Sequence, residues 1–123
     1  MKDIYEFFYK EDFVMMTMRE VCNYVGISRR VIQGYEAKKL VTSCGKNKYG
    51  YLLYDEETVK KMKKIRKYQD FGFSLKEIEA LLTATDDIYC EIMQNRVKIM
   101  KQQLKNITNN INSAEKMIKE RRK

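Results

Sequence analysis

Arg29, Arg30 and Gln33 fall on one turn of a predicted helix that Ser28 is placed to cap. A guanidinium pairs bidentately with the O6/N7 edge of guanine, and a glutamine carboxamide with the N6/N7 edge of adenine. Three such side chains on one exposed turn suit the major groove of a duplex; the plainer alternative is a solvated helix surface. A second group stands in the polar, Gly-bounded turn Gly45-Lys46-Asn47-Lys48-Tyr49-Gly50 and in Tyr51 after it. Lys46, Lys48, Tyr49 and Tyr51 suit phosphate or minor-groove contact, against the alternative of a flexible basic loop. Tyr35 is placed either to reach a phosphate with its hydroxyl or to pack against this turn. Ser28 can cap its helix, touch a phosphate, or do both. Thr17, which opens the preceding helix, completes the candidate contact set.

The charge distribution fits that chemistry. The net charge is +8. Residues 29–48 hold Arg29, Arg30, Lys38, Lys39, Lys46 and Lys48 against a single acid, Glu36. Residues 60–67 hold Lys60, Lys61, Lys63, Lys64, Arg66 and Lys67 with no acid. Clustered cations suit a polyanion, because each neutralised phosphate releases counterions; the second run equally suits a solvated helix face.

Catalytic chemistry has little to stand on. Histidine is absent, which removes the commonest general base and metal ligand. Cys22, Cys44 and Cys90 are far apart, odd in number and in no Cys-x-x-Cys, so neither a disulfide framework nor a zinc site is expected. Glu56 with Glu57 and Asp86 with Asp87 stand at predicted helix starts, where acids favour the helix dipole. We therefore expect no enzyme, no metal and no cofactor. No apolar stretch approaches the ~20 residues of a membrane span. Asp3, Glu6, Glu11 and Asp12 among the N-terminal aromatics do not read as a signal peptide, so a cytoplasmic location is expected.

These groups need elements to position them. Proline is absent and only five glycines occur, a composition that favours helix. Residues 1–15 are aromatic-rich without a clear period, and a short packed helix or a mobile arm would fit equally. Thr17-Met18-Arg19-Glu20 has the capping-box form, and Met18, Val21, Cys22 and Val25 share one helical face up to Gly26. Ile27 pins the turn, and a second helix over about 29–37 follows Ser28: a helix-turn-helix pattern. Leu40-Val41, the turn 45–50 and the β-prone Tyr51-Leu52-Leu53-Tyr54 predict two short strands around a basic loop, a wing. Asp55 caps a third helix with Val59, Met62, Ile65 and Tyr68 inward, which Gly72 stops. Ser74-Leu75-Lys76-Glu77 is a second capping box, opening a fourth helix with Ile78, Leu81 and Leu82 apolar.

From Asp86 onward there is neither Gly nor Pro. Cys90, Met93, Val97, Met100, Leu104, Ile107, Ile111, Ala114 and Ile118 alternate spacings of three and four, a heptad seam that predicts a coiled coil. Such a seam needs a partner, and a second copy of the same helix is the economical one. Met93, Val97, Met100, Leu104, Ile107, Ile111 and Ile118 are the expected dimerisation residues.

Read together, Met16-Thr17-Met18-Arg19-Glu20-Val21, Gly26-Ile27-Ser28-Arg29-Arg30, Tyr35-Glu36, Leu40-Val41, Gly50-Tyr51, Leu53-Tyr54 and Phe71-Gly72-Phe73-Ser74-Leu75-Lys76-Glu77-Ile78 resemble the DNA-binding region of MerR-type transcription regulators. The resemblance covers about residues 15–82 in order. It implies an antiparallel coiled-coil homodimer that presents two winged domains to an inverted repeat of double-stranded DNA, with RNA polymerase at the promoter as a further partner. Members commonly distort promoter DNA in response to an effector. Departures are evident. Where the family continues Thr-Leu-Arg-Tyr-Tyr, this chain has Val31-Ile32-Gln33-Gly34-Tyr35, and Leu52 replaces the arginine that usually follows the wing tyrosine. Cys90 stands near the place of a metal-sensing cysteine, but no cysteine follows it, and its seam position reads as a small buried apolar residue.

The expected architecture is mainly α: an extension over 1–15, a winged helix-turn-helix domain over 16–82, and a long dimerising coiled-coil helix over 86–123. The expected function is that of a homodimeric, sequence-specific transcriptional regulator in the bacterial nucleoid. The alternative is a nucleoid-associated or DNA-anchoring protein of the same fold.

Overall fold

A computed structural model describes residues 15–122. The 1–15 extension, apart from Met15, lies outside the described residues. The chain divides into two compact units between Glu79 and Ala80.

The first unit begins with strand β1 (Met16–Thr17), which runs straight into helix α1 (Met18–Val21). The capping box is formed in both directions. The Glu20 N–H donates to Thr17 Oγ1 at 3.3 Å, and the Thr17 N–H donates to Glu20 Oε1 at 3.0 Å. The expected helix to Gly26 is only partly α-helical: Cys22–Gly26 widens into a π-helical turn, ended by Gly26 at φ 79°. Ile27 is buried in the turn as expected. Helix α2 (Arg29–Ala37) then starts at Ser28, whose Oγ accepts from the Val31 N–H at 3.2 Å.

The sheet is larger and differently placed than the sequence suggests. Leu40 and Val41 are buried, but outside any strand. The wing is built from β2 (Gly45–Lys46) and β3 (Leu52–Tyr54), antiparallel with Gly45 opposite Leu53 and Lys46 opposite Leu52. On its other edge β3 pairs antiparallel with β1, Met16 opposite Tyr54, so the order is β1-β3-β2. The strand that enters the helix-turn-helix and the strand that leaves the wing are thus neighbours.

Helix α3 (Glu56–Asp70) is capped by Asp55, whose Oδ1 accepts from the Thr58 N–H at 2.8 Å. It turns Val59, Met62, Ile65 and Tyr68 into the core with Val21, Ile32, Tyr35 and Tyr54. The rings of Tyr68 and Phe73 meet edge-on at 6.3 Å, closing the turn around Gly72 (φ 98°). The Ser74–Glu77 capping box opens helix α4 (Leu75–Thr83), with Ile78 buried.

The second unit is chiefly helix α5 (Asp86–Arg121), 36 residues and ~54 Å at 1.5 Å per residue. No residue of α5 is buried. Of the seam, Val97, Leu104, Ile107, Ile111 and Ile118 are exposed, and Met93 and Met100 partly covered. Cys90, expected as a buried apolar residue, is likewise exposed in the single chain. No helix among the described residues is long and apolar enough to cross a membrane.

Candidate nucleic-acid interface

Helix α2 has two faces. Ile32 and Tyr35 point into the core, and Arg29, Arg30 and Gln33 point out. The expected contact for Tyr35 needs correction. Its ring is 1% exposed, and its hydroxyl donates to Gln69 Oε1 of α3 at 2.6 Å. Its hydroxyl is therefore not free to reach a phosphate: the ring shares the inward face of Ile32 and ties α2 to α3. Burial pushes its phenol above the ordinary value, so it remains a neutral donor.

A second phenol fixes the wing. Tyr54, fully buried on β3, donates its hydroxyl to Glu36 Oε1 of α2 at 2.6 Å. Burial first, then this carboxylate, raises its pKa far above the tyrosine range. The turn between β2 and β3 is braced from within by Asn47. Its side-chain Oδ1 accepts from the N–H groups of Tyr49 (2.9 Å) and Tyr51 (3.0 Å), an Asx-type turn. Its own N–H donates to the Tyr51 carbonyl, and its carbonyl accepts from the Gly50 N–H. The basic loop is thus held in shape. Gly50 takes φ 81°, a left-handed conformation that glycine adopts without strain.

Between the wing and the starts of α1 and α2 lies a cleft of about 630 Å³, lined by Thr17, Met18, Arg19, Arg29, Lys46, Gly50, Tyr51 and Leu52. Three of these residues are cationic and none is acidic. Thr17, Arg29, Lys46 and Tyr51 are thereby brought together. Arg30 and Gln33 continue the exposed face of α2 outside the cleft, and Ser28 is exposed at its start. Lys48 and Tyr49 stand at the wing tip, with the Lys48 ammonium 5.1 Å from the centre of the Tyr49 ring and that ring 6.4 Å from Tyr51. Tyr49 and Tyr51 are 70% and 62% exposed, unusual for aromatics without an external partner. The Thr17 and Ser28 oxygens accept helix N–H groups, which leaves each hydroxyl proton able to donate to a phosphate oxygen.

Three further residues, Arg19, Asn47 and Glu36, shape this surface. Arg19 lines the cleft from the first turn of α1; its place inside the Thr17–Glu20 capping box was the available signal. Asn47 carried the turn preference of its residue type. Glu36 stands in the sequence as the lone acid among cations and beside Tyr35, and its role as the acceptor for Tyr54 follows from the fold.

At the base of the wing, the Asp55 carboxyl is held below the ordinary carboxylate range chiefly by its hydrogen bond to Thr58. The neighbouring Cys44 thiol is pushed up by its hydrogen bond to Asp55. Among the described residues no three His, Cys, Asp or Glu side chains gather where a metal could be held.

Comparison with known proteins agrees with this architecture. The family profile for the MerR HTH family regulatory protein matches residues 16–85, and the MerR, DNA binding profile matches residues 59–120. The mercuric resistance operon regulatory protein of Bacillus cereus is 31% identical over 67 residues, 54% of this chain and 51% of that protein. An HTH-type transcriptional regulator of Pseudomonas aeruginosa is 33% identical over 72 residues, 58% of this chain and 54% of that protein. The chain thus spans about half the length of the curated relatives it matches. Among solved structures, a MerR family transcriptional regulator from Bacillus cereus superposes with a TM-score of 0.76 at 18% identity, over 89% of this chain and 84% of that one. HiNmlR, a MerR family regulator lacking the sensor domain and bound to promoter DNA, superposes with a TM-score of 0.67 at 18% identity, over 80% of each chain. A winged helix-turn-helix followed by a long helix is therefore shared across these folds, and with both profiles matched in register this chain belongs to the MerR family of helix-turn-helix regulatory proteins.

Proposed function

We propose that this chain is a sequence-specific DNA-binding transcriptional regulator that acts as a homodimer on an inverted-repeat operator. The observation that carries the reading is the acid-free cleft in which Arg19, Arg29 and Lys46 meet, continuous with the exposed Arg30 and Gln33 of α2. Lys46, Lys48, Thr17, Ser28 and the wing tyrosines grip phosphates and set register, while Arg29, Arg30 and Gln33 read base edges. Residues 16–82 form the DNA-binding domain, and 86–123 pair antiparallel with a second copy. The unburied seam of α5 supports this pairing, because a lone helix would leave its apolar stripe in water. The chain acts by binding and not by catalysis, in the cytoplasm, at promoters where RNA polymerase is the further partner. The solved structure of similar fold that is bound to promoter DNA supports this reading.

The test is a fluorescence-anisotropy titration across a salt series, comparing duplex from upstream of the protein's own gene with a scrambled control. A preference for the native duplex that persists at physiological salt is expected. Equal, steeply salt-dependent binding to both would overturn sequence-specific regulation in favour of DNA packaging or anchoring.

A further inference from the structure

Residues 1–14 lie outside the described residues, but the register of the sheet fixes where they meet the fold. β1 and β3 run antiparallel with Met16 opposite Tyr54, so the chain before Met16 departs on the side of Asp55, the cap of α3. In that segment Asp3, Glu6, Glu11 and Asp12 outnumber Lys2 and Lys10, among Tyr5, Phe7, Phe8, Tyr9 and Phe13. Helix α3 offers the complement. Lys60, Lys63, Lys64 and Lys67 recur at i, i+3, i+4 and i+7, all exposed, on the side opposite the buried Val59, Met62, Ile65 and Tyr68. Lys60 pairs with Glu56 at 2.9 Å, whereas Lys63, Lys64 and Lys67 meet no carboxylate among the described residues. Their ammonium groups lie over the rings of Tyr24, Tyr68 and Phe71, at 5.2, 6.0 and 5.9 Å from the centroids. Tyr24 and Phe71 are half-buried, which leaves ring surface beside the charges for an aromatic partner.

We propose that residues 1–14 dock on this lysine face of the same chain as an internal polyanion, which a duplex seated against α3 must displace. The docking stands without the DNA-binding reading above; the displacement rests on it. Like charges three and four residues apart destabilise a helix, and acids laid across them relieve that repulsion. The lengths agree. From Asp55 the helix rises about 12 Å to Lys63 and about 18 Å to Lys67. Counted back from Met15, an extended chain carries Glu11 as far as ~13 Å and Glu6 as far as ~30 Å. Tethering selects this occupant over a free one, because a short flexible link holds the acids at an effective concentration on the order of millimolar.

The chain contains no tryptophan, so Phe8→Trp in the full chain gives the segment a unique fluorescent reporter. At low salt its emission should be blue-shifted, and acrylamide should quench it several-fold less than in urea. Lys63→Glu, Lys64→Glu and Lys67→Glu together should expose it. Asp3→Lys, Glu6→Lys, Glu11→Lys and Asp12→Lys together should also expose it, without touching the core. Combining the two sets should restore protection, and Lys98→Glu, Lys101→Glu and Lys105→Glu on α5 should leave the reporter as in the parent. A reporter open to acrylamide in the parent overturns the docking, and so does protection that survives reversal of the α3 lysines. An equal change in both lysine variants would report net charge alone and overturns it as well. Scrambled duplex added to the parent should expose the reporter; continued protection while the anisotropy of the labelled duplex reports binding overturns the displacement. A parent that binds no duplex removes the displacement together with the reading beneath it, whereas the reporter without DNA decides the docking.

Discussion

Arg30 and Gln33 lie one turn apart on the open side of α2, where a guanidinium and a carboxamide can address neighbouring base pairs. Replacing Arg30 with Ala is expected to weaken operator binding by ~1–3 kcal/mol and to relax discrimination at one base position. Unchanged affinity in a competition titration would take base reading away from Arg30. Tyr54 supports the same surface from inside. Tyr54→Phe removes the donor to Glu36, and since hydrogen bonds to charged groups are worth ~1.5–3 kcal/mol, the urea midpoint should fall accordingly. Such exposed cations were legible in the sequence because their types and spacing carry the chemistry directly. Tyr35 was not, since a phenol suits both core and surface; its helical phase with Ile32 was the clue to burial.

At the scale of the element, the helix starts were the most legible features. The caps at Thr17, Ser28, Asp55 and Ser74 each use a side chain within three residues of the N–H it satisfies. Such contacts are local and can be read from a tetrapeptide. The β1–β3 pairing was hidden because its register joins residues distant in the chain, Met16 to Tyr54 and Thr17 to Leu53. The π turn leaves no local mark that distinguishes it from α-helix. Replacing Asp55 with Ala should cost about 1 kcal/mol at neutral pH. The folded-state pKa of Asp55 lies below its unfolded value, so its contribution is full above the unfolded carboxyl pKa of ~3.9. It is lost as pH falls through the lower folded value. Thermal melts of parent and variant should therefore converge in acid, and a gap independent of pH would contradict the role of the ionised cap.

At the scale of the whole molecule, the long helix α5 was legible, because a 3-4 repeat sustained along it contrasts with the mixed pattern before it. What the repeat pairs with, and in which direction, is written in the complementarity of two chains and not in one. Leu104, 65% exposed in the single chain, lies near the middle of the seam. Leu104→Asp is expected to yield monomers in sedimentation equilibrium and to weaken operator binding by removing the linked second half-site. A mutant that stays dimeric would assign the interface to other residues. For the parent, an apparent Tm that rises with protein concentration is the matching signature of association linked to folding.

The hydrogen bond from Tyr54 to Glu36 ties the wing to α2, and Asn47 braces the wing's far end. If these bonds hold the opening between Arg29 and Lys46 at one width, it acts as a gauge. A duplex that does not match it must bend or change its groove, at an energy set by the stiffness of its own base steps. Bases that no side chain touches would thereby enter the recognition sequence. Placing flexible pyrimidine–purine steps beneath the gap, with every contacted base kept, should alter affinity, and the protein would sort DNA by mechanical compliance as well as by letters.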